Sequence, residues 1–98
     1  MDTSVKEKIP VIKDEAFTVY IEIVDDKIFL HCDVLKKYNK SIKNRLLIAF
    51  DVISKAYKKE LWMMANRKTN QKTIKFAKLL FGFQYDSSFE DYEFYVRR

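Results

Sequence analysis

Between Phe17 and Val34 the chain alternates apolar and polar residues, reverses at Asp25-Asp26, and alternates again. In the first run, Ala16 to Val24, the apolar side carries Phe17, Val19, Ile21 and Ile23; Thr18, Tyr20 and Glu22 fall on the other side. A period of two is the mark of a strand with one face buried. In the second run, Ile28 to Val34, the apolar side carries Ile28, Leu30, Cys32 and Val34. The aspartates between the runs suit a tight turn, because Asp tolerates left-handed backbone and bonds its own main chain. The two runs predict an antiparallel hairpin. A sheet with one apolar face needs a second layer to cover it.

The next segment supplies that layer. Ile42, Leu46, Ala49, Phe50, Ile53 and Ala56 recur at helical spacing as far as Tyr57, and Asn39 or Ser41 can cap the start. Leu61-Trp62-Met63-Met64-Ala65 is a short unbroken apolar run, the pattern of a strand buried on both faces. After the polar stretch Asn66 to Gln71, a shorter helix is expected over Lys72 to Phe81, with Ile74, Ala77 and Leu80 or Phe81 inward. The only glycine, Gly82, stands where a helix ends in left-handed backbone. A closing hairpin is expected from Phe83-Gln84-Tyr85, through a turn around Ser87-Ser88, to Tyr92–Arg97. Residues 1–15, with Pro10, read as an arm or a short edge strand, and 16–98 as a single domain. The expected fold is α+β: about five mostly antiparallel strands and two helices, in the order β-β-α-β-α-β-β.

A chain of 98 residues buries only about two-thirds of its unfolded surface, so its core must be dense. Eight Phe, six Tyr and one Trp can fill it. Cys32 and His31 are the only residues of their kinds. An intramolecular disulfide is therefore impossible, and Cys-rich or paired-His metal sites are not expected. This cysteine usage fits a reducing setting, cytoplasmic or virion-interior, over a secreted one. Met1 to Glu7 lack the apolar stretch of a signal peptide, and no apolar run is long enough for a membrane span.

Charge is unevenly placed. From Lys36 to Lys78 there are thirteen Lys and Arg against two acids, Asp51 and Glu60; the remainder has six bases and twelve acids. Lys36, Lys37, Lys40, Lys43 and Arg45, then Arg67, Lys68, Lys72, Lys75 and Lys78, form a candidate anion or nucleic-acid patch. It equally suits an acidic protein surface. His31 and Asp33 share one strand face, and Cys32 points the other way, which argues against a Cys–His nucleophile and for a buried thiol. Glu22, beside Thr18 and Tyr20 on the outward face, is the candidate general base.

Asn70-Gln71-Lys72-Thr73-Ile74-Lys75-Phe76-Ala77-Lys78-Leu79-Leu80-Phe81-Gly82-Phe83, closing on Tyr95-Val96-Arg97-Arg98, resembles the C-terminal part of the GNAT acetyltransferase fold. It looks most like the small GNAT-like proteins of tailed bacteriophages. By that resemblance, the hairpin 16–34 corresponds to central strands, and the helix from Ser41 follows an acyl-CoA pyrophosphate loop. Asn66 or Asn70 would lie near a splay between strands that admits a pantetheine arm. Lys37, Lys40, Ser41 and Asn70 are then the residues that would hold acetyl-CoA. Active members carry a loop of the type Gln/Arg-x-x-Gly-x-Gly/Ala. Here Val34-Leu35-Lys36-Lys37-Tyr38-Asn39-Lys40-Ser41 has no glycine, and Ala77 stands where the family often has a catalytic tyrosine. The resemblance thus implies a non-catalytic binding protein, with a virion or host protein as partner. An acetyl-CoA-dependent N-acetyltransferase is the alternative, and a basic nucleic-acid-binding module a further one.

Overall fold

The computed structural model describes residues 8–98. Its elements are β1 (Ile9–Lys13), β2 (Phe17–Val24), β3 (Lys27–Val34), α1 (Lys40–Tyr57), β4 (Leu61–Asn66), α2 (Gln71–Leu80), β5 (Gln84–Phe89) and β6 (Tyr92–Arg97). The fold is α+β, with two helices and one open, mixed sheet in the order β1-β2-β3-β4-β6-β5. The sixth strand, beyond the five expected, is β1. It pairs antiparallel with β2, Ile9 opposite Ile21 and Lys13 opposite Thr18, with a register shift between Pro10 and Ile12. Proline is tolerated there because an edge strand has one side unpaired. Residues 1–7 of the expected arm lie outside the described residues.

The β2–β3 hairpin pairs without interruption from Phe17 opposite Val34 to Val24 opposite Lys27. Asp25 and Asp26 both take positive φ, 50° and 69°, as the tight turn demands. Ile42, Leu46, Ala49, Phe50 and Ile53 of α1 are buried. They share one core with Phe17, Val19, Ile21, Ile28, Leu30, Leu61, Ala77 and Tyr95. Both helices therefore cover the same face of the sheet. On the opposite face an aromatic group stands without a helix over it: Phe29 lies 6.4 Å from Trp62 and 6.3 Å from Phe94, between ring centroids.

Two polar ties hold the layers. Arg45 of α1 donates from one guanidinium nitrogen to both carboxylate oxygens of Asp14, at 2.6 and 2.8 Å. Arg97 of β6 donates to the Phe81 carbonyl at 2.9 Å and to Asp51 of α1 at 2.8 Å. Past the end of α2, Gly82 takes φ 76°. That lets the Phe83 N–H turn back onto the Ala77 carbonyl at 3.0 Å.

Three expectations are corrected. The last turn is at Glu90-Asp91, not Ser87-Ser88. Ser87 and Ser88 stay in β5 because a register shift between Tyr85 and Ser87 absorbs Asp86, and Glu90 supplies the positive φ of 56°. β4 is not buried on both faces along its length: Leu61, Trp62 and Ala65 are buried, but Met64 is half exposed. Cys32 is exposed, for a reason that lies in the cleft described next. Among the described residues, no helix is long and apolar enough to cross a membrane.

Candidate functional site

β3 and β4 are parallel neighbours, yet they pair only at Ile28–Leu61 and Phe29–Trp62. Beyond those positions β3 stays bound to β2 as far as Val34, and β4 to β6 as far as Asn66. Each strand thus turns an unpaired edge toward the other, and the sheet splits. A cleft of about 460 Å³ opens there. Leu30 and Val34 of β3, Met63 and Ala65 of β4, and Leu46, Phe50, Phe76 and Phe81 from the helical layer line it. Cys32 stands opposite Val19 of β2 on one side, but on the other it meets this gap and no paired strand, and it is exposed.

The chain direction explains the site's charge. Each helix follows a parallel strand, so both begin at the splayed, C-terminal end, where ligands of open α/β sheets bind. Asn39 caps α1, its side-chain oxygen accepting the Ile42 N–H at 2.9 Å. The first turns of α1 and α2 contain no acid, so their positive dipole ends are not offset locally. At α2, Asn66 and Asn70 fold the turn together. The Asn70 side-chain oxygen accepts the Asn66 N–H, and the Asn66 oxygen accepts the N–H groups of Lys68 and Thr69.

Tyr38 is the most informative residue of the cleft. Its ring stacks on Phe76 at 5.4 Å, joining the loop before α1 to α2. Its hydroxyl is buried at the cleft wall, has no hydrogen-bond partner among the described residues, and is raised in pKa by that burial. The surroundings of Cys32 disfavour its thiolate. Desolvation first, and then the neighbouring charge of Asp33, push its thiol up to about 11.

The structure distributes the sequence candidates unevenly. Asn70 lines the cleft, with its oxygen already engaged in the turn. Lys37, Lys40 and Ser41 flank Tyr38 and Asn39 in the chain, but their side chains are not among those lining the cleft. Glu22 does not line it either. Glu22 Oε1 instead accepts a hydrogen bond from His31 Nε2 at 2.9 Å, and His31 is at the cleft wall. The two residues are diagonal neighbours across β2 and β3, since Tyr20 stands opposite His31 and Glu22 opposite Phe29.

The basic patch divides. Lys36 pairs with Glu15 at 3.7 Å, and Arg45 with Asp14. Lys40 and Lys43 sit in the first turn of α1. Arg67 and Lys68 are drawn to Asp91, at 3.9 and 3.4 Å, and Arg67 also donates to the Glu90 carbonyl at 2.7 Å. Lys72 lies over the Phe76 ring at 5.8 Å. Lys75 points to the far flank of α2, away from the cleft. Sequence reasoning does not single out Tyr38, Thr73 and Phe76 as cleft residues, and it places His31 only on a strand face shared with Asp33. The hairpin register carried a usable signal only for His31.

No protein-family model matches this chain, and no curated protein or solved structure matches it significantly.

Proposed function

We propose that this chain is a GNAT-like binding domain whose cleft takes an extended, anion-tipped ligand of the acyl-CoA class. The observation that carries the reading is the split between β3 and β4, with the Tyr38 hydroxyl in its wall, unpartnered among the described residues. A slender chain bearing amides can hydrogen-bond to free strand edges in the way a missing strand would. The apolar lining from Leu46, Phe50, Phe76 and Phe81 suits its methylene portions. Its anionic end would meet the two helix starts at the splayed end, whose first turns carry no acid. The strand order, with one parallel step in a largely antiparallel sheet, supports the same reading.

The role is binding and not catalysis in this reading. Backbone amides close on a pyrophosphate where glycines leave them bare, and the loop 34–41 has none. Ala77, at the position of the family's usual tyrosine, is buried in the core. A virion or host protein would then be the recipient of the bound domain.

Titration calorimetry with acetyl-CoA and free CoA tests this. Saturable binding is expected, weakened about three- to tenfold by Tyr38→Phe through loss of one hydrogen bond. Met63→Trp, which fills the cleft, is expected to abolish it while the circular dichroism spectrum is retained. Absence of heat at millimolar ligand, or unchanged binding by a folded Met63→Trp protein, overturns the proposal.

A second reading, N-acetyl transfer, is favoured by one contact: Glu22 against His31 at the cleft wall. A carboxylate that orients an imidazole is a workable general base. Mass spectrometry of an amine incubated with protein and acetyl-CoA decides it. Product lost in His31→Gln supports transfer; no product with the parent protein leaves binding as the function.

A further inference from the structure

A second concavity of about 550 Å³ lies on the other flank of α2. Its wall includes Arg67, Lys75, Lys78, Tyr85, Glu93 and Tyr95. The helix separates it from the cleft: Asn70, Thr73, Phe76 and Ala77 line one site, and Gln71, Ile74, Lys75 and Lys78 the other. This groove owes nothing to the split in the sheet, and the reading proposed above does not use it.

Its chemistry is mixed in a specific way. Arg67 is tethered by the Glu90 carbonyl and Asp91. Among the described residues, neither Lys75 nor Lys78 has a carboxylate within ion-pair distance. Both ammonium groups are therefore available to an incoming anion. Across from them Tyr85 is about half exposed, and its ring meets Tyr95 edge-on at 5.8 Å. An exposed ring braced by a buried one is a flat surface that keeps its orientation. Glu93, whose Oε1 accepts the Tyr95 hydroxyl at 2.7 Å, adds a fixed acceptor.

A bare polyanion would meet repulsion from that carboxylate. An acidic peptide would meet the same repulsion and would leave the tyrosine face unused. A ligand that uses all three features carries a phosphate, a flat ring and hydrogen-bond donors within one unit. We propose that the α2–β5 groove binds a nucleotide unit, free or within a single strand. The phosphate lies against Lys75 and Lys78, the base stacks on Tyr85, and a sugar hydroxyl or exocyclic amine donates to Glu93. Base stacking on an aromatic side chain is tolerant of sequence, and lysine contacts make the binding salt-dependent.

Fluorescence anisotropy with a labelled single-stranded oligonucleotide tests the proposal, with adenosine monophosphate and inorganic polyphosphate as competitors. Binding at low salt is expected, weakened at least tenfold by Lys75→Glu with Lys78→Glu. Lys55→Glu with Lys58→Glu, which makes the same charge change at the C-terminal end of α1, is expected to leave it within twofold. Tyr85→Ala is expected to weaken the oligonucleotide about tenfold and polyphosphate hardly at all. Competition by the mononucleotide assigns the groove to free nucleotide; competition by the oligomer alone assigns it to nucleic acid. No binding at low salt overturns the proposal. So does equal loss on Lys55→Glu with Lys58→Glu, or indifference to Tyr85→Ala, since either reduces the effect to net charge.

Discussion

The two helices occupy equivalent places after parallel strands, but they are held very differently. α1 runs for 18 residues, buries five apolar side chains and has a side-chain N-cap. It is tied at Arg45 to Asp14 and at Asp51 to Arg97. α2 has 10 residues, buries only Ala77 and has no side-chain cap bond. One helix closes the core; the other is a partition with a cavity on each flank. Anchoring and recognition are thus assigned to different helices, as expected when the parts that meet ligands come from the less stable end of a fold.

Substitutions that strip α1 of its anchoring put this contrast under the greatest strain. Phe50 packs edge-on against both Phe81 and Phe83. Phe50→Ala is expected to cost about 3–5 kcal/mol in urea unfolding. Ile74→Ala, on half-buried α2, should cost well under half of that. If the two losses are equal, the contrast fails. Asp14→Ala removes both hydrogen bonds from a partly buried Arg45, with an expected loss of about 1.5–3 kcal/mol. The charge-free Asp14→Asn should recover part of it. Asn39→Ala removes the α1 cap and is expected to cost about 1 kcal/mol, also read by urea unfolding. Amide exchange should then show α1 opening more readily, toward the rate of α2.

A further effect is a dependence on pH beside α2. Desolvation, then the bond to Glu93, push the Tyr95 hydroxyl from 10 up to about 12. A raised folded-state pKa means the contribution is complete below pH 10. It is lost as pH climbs from 10 toward 12, because the unfolded chain ionises first. Tyr95→Phe should flatten that decline in a thermal melt series. An unchanged slope would place the alkaline loss elsewhere, for instance at Cys32.

What could be read from the sequence is what depends on neighbours in the chain. The apolar stripe from Ile42 to Ile53 is buried as its spacing requires, and Asn39 is the cap. The Asp25-Asp26 turn fixes the register of β2 on β3, and with it the diagonal meeting of Glu22 and His31. Cys32 was misplaced because alternation gives the side of a strand and not whether another strand stands beside it. Ser87-Ser88 was misread because a bulge at Asp86 carries β5 past residues that favour turns. The candidate ligand residues Lys37, Lys40 and Ser41 followed from analogy along the chain. Tyr38 belongs to the same loop, but only the approach of Phe76, from a distant helix, turns it into the cleft wall.

The two rungs between β3 and β4 also divide the chain at a single point in its length. Every other strand pairing falls within residues 9–34 or within 61–97. Cleavage in the loop after Tyr57 would therefore yield two fragments, each retaining its own hairpins, with only Ile28–Leu61 and Phe29–Trp62 severed from the ladder. The molecule is in this sense a two-piece assembly, closed by helix packing and by very little backbone. A chain lying along both free edges would act as a splint across that seam, so occupancy of the cleft could be read out by how well the severed pieces rejoin.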